Sequence, residues 1–188
     1  VGNFIMTKTL ILIPSRMAAT RLPGKPLLKI NNLSIISNVF KRAEEANIGE
    51  VVVATADREI LEDVLKNGGK AVLTKSDHKT GTDRIFEAYK KLDIKNVDYI
   101  LNLQGDEPNI NKDDIISLNN FMINQNAELG TLAAKIKDNK ILNNKNVVKV
   151  ITDKKLAESN FPAALNFTRE NLSIDSQNIY HHIGIYSY

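Results

Sequence analysis

Between residues 9 and 125 short apolar runs alternate with amphipathic segments, and no other feature constrains the fold as much. "TLILIP" (9–14) reads as a buried strand. "SIISNVFKRAEEAN" (34–47) sets Ile36, Val39, Phe40, Ala43 and Ala46 on one helical face, with Ser34 as N-cap. "EVVVAT" (50–55) is the next strand, and "REILEDVLKNGG" (58–69) a helix stopped by Gly68-Gly69. "KAVLT" (70–74), "GTDRIFEAYKKL" (81–92), "DYILNLQ" (98–104) and "KDDIISLNNFMINQ" (112–125) continue as strand, helix, strand and helix. Such alternation predicts an α/β fold with a mainly parallel, doubly wound, Rossmann-like sheet. After Gly130 the pattern changes. "TLAAKI", "NVVKVIT", "KLAESNF" and "IYHHIGIYSY" read as strands with few helices between them. They predict mixed or antiparallel strands added toward the C-terminus. No linker separates the regions, so residues 1–188 are expected to form one domain.

Composition excludes several classes. The chain has no cysteine. Disulfides, thiolate metal sites and cysteine nucleophiles are ruled out, and the cytoplasm is the expected compartment. No apolar run approaches the ~20 residues that cross a bilayer, so no membrane span is expected. No signal-peptide pattern is visible either. The net charge of +3 would suit nucleic acid, but aromatic residues make up 6% and offer little for base stacking. No nucleic-acid partner is expected.

Ligands of open parallel sheets sit beyond the C-terminal strand ends. The loop after the first strand, "PSRMAATRLPGKPL" (14–27), holds Arg16, Arg21 and Lys25 and no acidic residue. Arginine forks suit phosphate, and lysine adds a compact charge. Gly24 would let backbone approach a ligand, and three prolines limit the freedom lost on binding. The loop lacks the glycine patterns of P-loops and dinucleotide folds. Phosphate would have to be held by side chains.

"LQGDEPNI" (103–110) sets Asp106 and Glu107 at another strand end, facing that basic loop. A carboxylate beside polyphosphate needs a divalent cation between them, and Mg²⁺ fits. Taken alone the stretch would be a plain turn. "SDHKTGTDRI" (76–85) is a polar loop entering a helix. Thr80, Gly81 and Thr82 offer donors at that helix N-terminus, or simply an N-cap. Asp83 suits the helix dipole, and Arg84 is placed for an ion pair or for the lining of the site.

"ILIPSRMAATRLPGKPLLKI", "HKTGTDRI", "LNLQGDEPNI" and "YHHIGIYSY", in that order, resemble the 3-deoxy-manno-octulosonate (Kdo) cytidylyltransferases. The resemblance runs from about residue 9 to the last residue. It implies a fold of the nucleotide-diphospho-sugar transferase type. The reaction implied transfers CMP from CTP to Kdo with Mg²⁺, giving CMP-Kdo for lipopolysaccharide synthesis and releasing pyrophosphate. Arg16, Arg21, Gly24 and Lys25 would bind the triphosphate, with Arg16, Lys25 and Asp106 catalytic and Asp106 on the metal. Thr80 and Thr82 lie in the stretch lining the cytosine pocket. Gln104, Arg169 in "NFTR" and His182 in "HHIGIY" would bind the sugar acid, although a histidine in an apolar strand is otherwise a packed core residue. A homodimer is implied too.

Departures accompany the match. The family usually shows "ATDD" where this chain has "ATAD", with Ala56 in place of an aspartate. After Arg169 it has "ENLSID" instead of a proline-containing segment. The family's C-terminal stretch, with a Glu-Gln pair and a second Mg²⁺ ligand, does not follow Tyr188, so a truncated chain is expected. "VGNFI" ahead of Met6 reads as a remnant or upstream extension. Competing readings are an inactive fragment that keeps nucleotide binding, an enzyme for another sugar acid such as a sialic acid, and a basic nucleic-acid-binding module.

Overall fold

A computed structural model describes residues 7–18, 22–159, 161–171 and 178–188. They fall into two compact units: residues up to Gly130 with Ile185–Tyr188, and Thr131–Gly184.

The first unit is built on four parallel strands, β1 (Thr9–Ser15), β4 (Gly49–Thr55), β5 (Ala71–Leu73) and β6 (Tyr99–Asn102), in the order β5-β4-β1-β6. β1 pairs in register with β4 from Thr9↔Gly49 to Ser15↔Thr55. Successive side chains of a strand point to opposite faces. Leu10, Leu12, Val52 and Ala54 therefore share one face, where Ile85 and Ala88 of α3 (Gly81–Leu92) pack on them. Ile11, Ile13, Val51 and Val53 occupy the other face, the side of α1 (Ile35–Glu45), whose Ile36, Val39, Phe40 and Ala43 are buried. α2 (Arg58–Lys66) and α4 (Lys112–Gln125) each contact α1. A buried bond from Thr9 Oγ1 to Asn119 Oδ1 (2.6 Å) ties α4 to β1. Helices thus cover both faces, as the alternation requires.

α1 begins where its N-cap predicts: Ser34 Oγ accepts from the Ser37 N–H at 3.1 Å. Just before it, β2 (Lys29–Ile30) and β3 (Leu33–Ser34) form a small antiparallel hairpin. Its turn residues Asn31 and Asn32 both take positive φ, 52° and 67°. That is the backbone of a two-residue hairpin turn, for which asparagine is well suited.

The second unit is antiparallel. β8 (Lys149–Thr152) pairs with β9 (Ala164–Thr168) and with the early part of β10 (Ile179–Ser187), which also pairs with β7 (Gly130–Lys135). The last residues of β10 belong to the first unit and pair antiparallel with β6, Tyr186↔Asn102 and Ser187↔Leu101. One expected strand is not one. "KLAESNF" (155–161) forms turns over its described residues, with the Glu158 and Ser159 N–H groups both donating to Lys155 O. The Leu156 N–H is taken by the Tyr180 hydroxyl at 3.0 Å, so no ladder forms. The strand falls later, at β9.

Candidate active site

From β1 the chain moves outward to β4 and β5, then returns to place β6 on β1's other side. The C-terminal ends of β1 and β6 therefore flank a topological switch point, where such sheets bind ligands. A cavity of about 580 Å³ opens there, lined by Pro14, Ser15 and Arg16 from the end of β1 and by Gln104, Gly105 and Asp106 from the loop after β6. The volume suits a nucleotide-sized molecule.

Two bonds shape the basic loop. The Met17 N–H donates to Asp57 Oδ2 at 2.9 Å, and the Gly24 N–H donates back to Met17 O at 3.1 Å. Asp57 is the N-cap residue of α2, so a helix start anchors the backbone next to Arg16. Gly24 sits at φ +74°, the left-handed region. A Cβ there would meet only Met17 Cε at 3.8 Å, so the need for glycine is conformational rather than one of close approach. Lys25 opens a short 3₁₀ turn with Pro26 buried beneath it, and its side chain lines the cavity. Arg21 lies outside the described residues.

The close approach falls in the other loop. A Cβ on Gly105 would stand 2.8 Å from Pro14 O and 3.1 Å from Ile36 Cδ1. Glycine lets the loop after β6 press against the end of β1, which delivers Asp106 to the basic loop. There Lys25 Nζ donates to Asp106 Oδ2 at 2.8 Å. Glu107 does not line the cavity.

The stretch before α3 closes the third side with His78, Lys79, Thr80, Gly81 and Arg84. Thr80 and Asp83 form a reciprocal capping box: Thr80 Oγ1 accepts from the Asp83 N–H (3.1 Å) and Asp83 Oδ2 from the Thr80 N–H (3.2 Å). Thr80 is both cap and lining; Thr82 is exposed and does not line this cavity. Arg84 is buried, donating to Thr74 Oγ1 (2.6 Å) and Lys75 O (3.1 Å). Burial lowers its pKa, opposed by Asp57 and Glu87 and aided by the nearby cation of Arg16. Arginine remains charged through such shifts, so Arg84 adds to the positive lining. His78 Nε2 makes a short bond to Glu87 Oε2, which also accepts the Lys75 N–H at 3.0 Å. Lys91 Nζ lies 2.8 Å from Glu87 Oε1. Bonds from Lys91 and His78 hold the Glu87 carboxyl down at about 2.

His78, Lys79, Asp57 and Glu87 received no individual role from the sequence. "HKTG" contained the signal for the first two, since it leads straight into a cavity-facing helix N-terminus. Nothing local marks Asp57 or Glu87.

The second unit carries the other two sugar-site expectations. Arg169 is exposed just after β9. His182 is buried in β10, its Nε2 2.9 Å from Thr131 Oγ1 and its ring edge-on to Phe167 with centroids 5.0 Å apart. Burial lowers its pKa, with His181 adding to the effect. Lys149 is fully buried in β8, donating to Asn144 O at 3.3 Å. Burial likewise depresses its pKa, with Arg169 contributing.

A cation-lined cavity at the switch point of a parallel sheet, with one acid at its mouth, has the makings of a nucleotidyltransferase site. The family model for cytidylyltransferases matches residues 10–188. A 3-deoxy-manno-octulosonate cytidylyltransferase of Rhodopseudomonas palustris is 47% identical, covering 97% of this chain and 74% of the relative. One from Nitrobacter hamburgensis is 45% identical, over 97% of this chain and 70% of the relative. Among solved structures, a CMP:2-keto-3-deoxy-manno-octonic acid synthetase complexed with CTP superposes with a TM-score of 0.85 at 36% identity, over 97% of this chain and 74% of that one. The chain belongs to the cytidylyltransferases, and among them to the 3-deoxy-manno-octulosonate cytidylyltransferase family.

Proposed function

We propose that this chain transfers CMP from CTP to Kdo, giving CMP-Kdo and pyrophosphate. The observation that carries the reading is the convergence of Arg16, Lys25, Lys79 and Arg84 on one cavity whose mouth bears Asp106. Four cations suit a triphosphate, and a sugar acid cytidylyltransferase needs charge neutralisation and alignment more than a covalent nucleophile.

The anomeric hydroxyl of Kdo attacks the α-phosphorus. The bond to the β-phosphate oxygen breaks, and pyrophosphate leaves with the electron pair. Arg16 and Lys25 stabilise the charge that grows on it. Gln104, half-buried at the cavity wall, orients the sugar acid. Arg169 and His182 are proposed as further sugar-acid contacts.

Asp106 would hold Mg²⁺. Among the described residues no group of three acidic or histidine side chains forms a metal cage. One carboxylate fits the habit of Mg²⁺, which takes one or two protein carboxylates and completes its shell with phosphates and waters. Bound there, the metal would polarise the α-phosphate and lower the pKa of the attacking hydroxyl.

No helix among the described residues is long and apolar enough to cross a membrane. The cytoplasm, where CTP is made, is the compartment we propose, and the product feeds lipopolysaccharide synthesis. A homodimer is also proposed. Leu165 and Phe167 on β9 are exposed apolar groups that a second copy would cover.

Pyrophosphate release with CTP, Kdo and Mg²⁺ tests the reading, with a sialic acid as control acceptor. Release that requires Kdo is expected. Release indifferent to the acceptor, or none with Kdo, would overturn it.

A further inference from the structure

Both ends of the basic loop are tied to one helix. At its start the Met17 N–H donates to Asp57, the N-cap residue of α2. At its end a second set of bonds runs back to the same helix. The Leu28 N–H donates to Lys25 O at 3.1 Å, closing the 3₁₀ turn that begins at Lys25. Leu28 O in turn accepts the N–H of Ile35, the first residue of α1, at 2.8 Å. Beside Ile35, the Ser34 hydroxyl makes a short bond to Asp63 Oδ2, and the Ser37 hydroxyl donates to the same oxygen at 2.8 Å. Asp63 lies on α2, less than two turns past Asp57.

Capping α1 does not by itself call for Asp63. Ser34 caps with its oxygen, which accepts the Ser37 N–H, and its own proton still needs an acceptor. A serine inside a helix often gives its proton to a carbonyl of the preceding turn. For Ser37 those carbonyls are Leu33 O and Ser34 O, and Asn38 Nδ2 already donates to both, at 3.0 Å and 2.9 Å. The two hydroxyl protons go to α2 instead. Ser34 and Ser37 are buried, where an unplaced polar proton is costly, so the two bonds fix the start of α1 against α2.

We propose that Asp63 is a positioning residue for nucleotide binding: by tying the start of α1 to α2 it holds the backbone of Lys25, and with it the Lys25 side chain, where the outer phosphates arrive. The inference rests on the CTP reading above. Asp57 fixes the Arg16 end of the loop and Asp63 the Lys25 end, so the spacing of the two cations is set before the ligand binds. A loop held in this way loses less freedom on binding, and that is the source of the affinity. Asp63 does not line the cavity, so its effect passes through Lys25.

Calorimetric binding of CTP and of CMP, each with Mg²⁺, tests it. CMP carries the same base, ribose and inner phosphate but lacks the two phosphates given to Arg16 and Lys25 above. Asp63→Ala should weaken CTP about fivefold and CMP less than about twofold, the size of one disturbed contact to a charged group. Asp63→Asn keeps an oxygen that accepts both hydroxyls and should restore the parental CTP affinity. In a Lys25→Ala background the further change Asp63→Ala should cost less than about twofold, because the residue it positions is gone. A merely structural role would leave CTP affinity unchanged in folded Asp63→Ala, or lower CTP and CMP alike, and either result overturns the proposal. So does a full fivefold loss in the Lys25→Ala background. If Asp63→Ala gives no cooperative melt, Ser37→Ala decides. It removes one of the two bonds, keeps the Ser34 cap and suits a helix, and it should weaken CTP about threefold with CMP unchanged. Parental CTP affinity in that variant would overturn the proposal. An intact chain that binds no CTP brings down the CTP reading and this inference together. An intact chain that binds CTP, with Asp63→Ala folded and equal to it, removes this inference alone.

Discussion

Lys25 and Asp106 neutralise each other across the mouth of the cavity, Nζ to Oδ2 at 2.8 Å. One belongs to the triphosphate side of the proposed site and the other to its metal side. When no ligand is bound, each serves as the other's counter-ion. CTP with Mg²⁺ would replace a single ion pair by two, lysine to phosphate and aspartate to metal.

Two variants separate these roles. Asp106→Asn should cut Mg²⁺-dependent turnover by about 100-fold or more, the scale seen when a group stabilising transition-state charge is lost. CTP affinity in EDTA should hold or rise slightly, because Lys25 is released. Lys25→Ala should weaken CTP about tenfold. The side chains are 33% and 57% exposed, so neither change should cost more than about 1 kcal/mol of stability. Full turnover in Asp106→Asn would remove the aspartate from the chemistry.

The basic loop depends on Asp57, forty residues away in sequence, which accepts the Met17 N–H at 2.9 Å. Asp57→Ala frees that N–H and with it the backbone beside Arg16. Thr55 Oγ1 still receives the residue's own N–H at 3.1 Å, so the start of α2 should survive. The expected result is a KM for CTP raised about fivefold to tenfold, a modest loss of melting temperature, and a nearly unchanged kcat at saturation. An unaltered KM would show that Pro14, Pro23 and Pro26 hold the loop without help.

The first unit was largely legible because each of its elements has one dominant period. α3 and α4 run over Gly81–Leu92 and Lys112–Gln125, the limits that their apolar spacing and caps predict. That the two loops lie at one end of the sheet was legible too, since both follow parallel strands; the direct Lys25–Asp106 pair was not. What was hidden depends on contacts that no local pattern encodes. "KLAESNF" has enough apolar residues for a strand, yet its backbone bonds to itself and to Tyr180. The β2–β3 hairpin hangs on two asparagines in left-handed backbone, a turn signal that the proline-rich stretch before it overshadows. Gly105 was a turn residue in sequence and a point of contact with Pro14 in space. The pairing of His78 with Glu87 needs the loop to fold back on the second turn of the helix it precedes.

Glu87, held by Lys91 first and His78 second, also shapes the acid limb of stability. Glu87 titrates at about 2 in the folded chain against 4.5 ordinarily. Between those values the unfolded chain binds more protons, so stability rises with pH across the window. The contribution is fully present above about pH 4.5 and is lost as pH falls through about 2. It amounts to about 3 kcal/mol, of which about 2 should be gone at pH 3. Glu87→Gln has no carboxyl to titrate and keeps the side chain's shape. Urea unfolding of the two proteins from pH 6 to pH 3 should therefore show the parent losing about 2 kcal/mol more than the variant. Parallel pH profiles would mean that Lys91 and His78 do not hold the carboxylate.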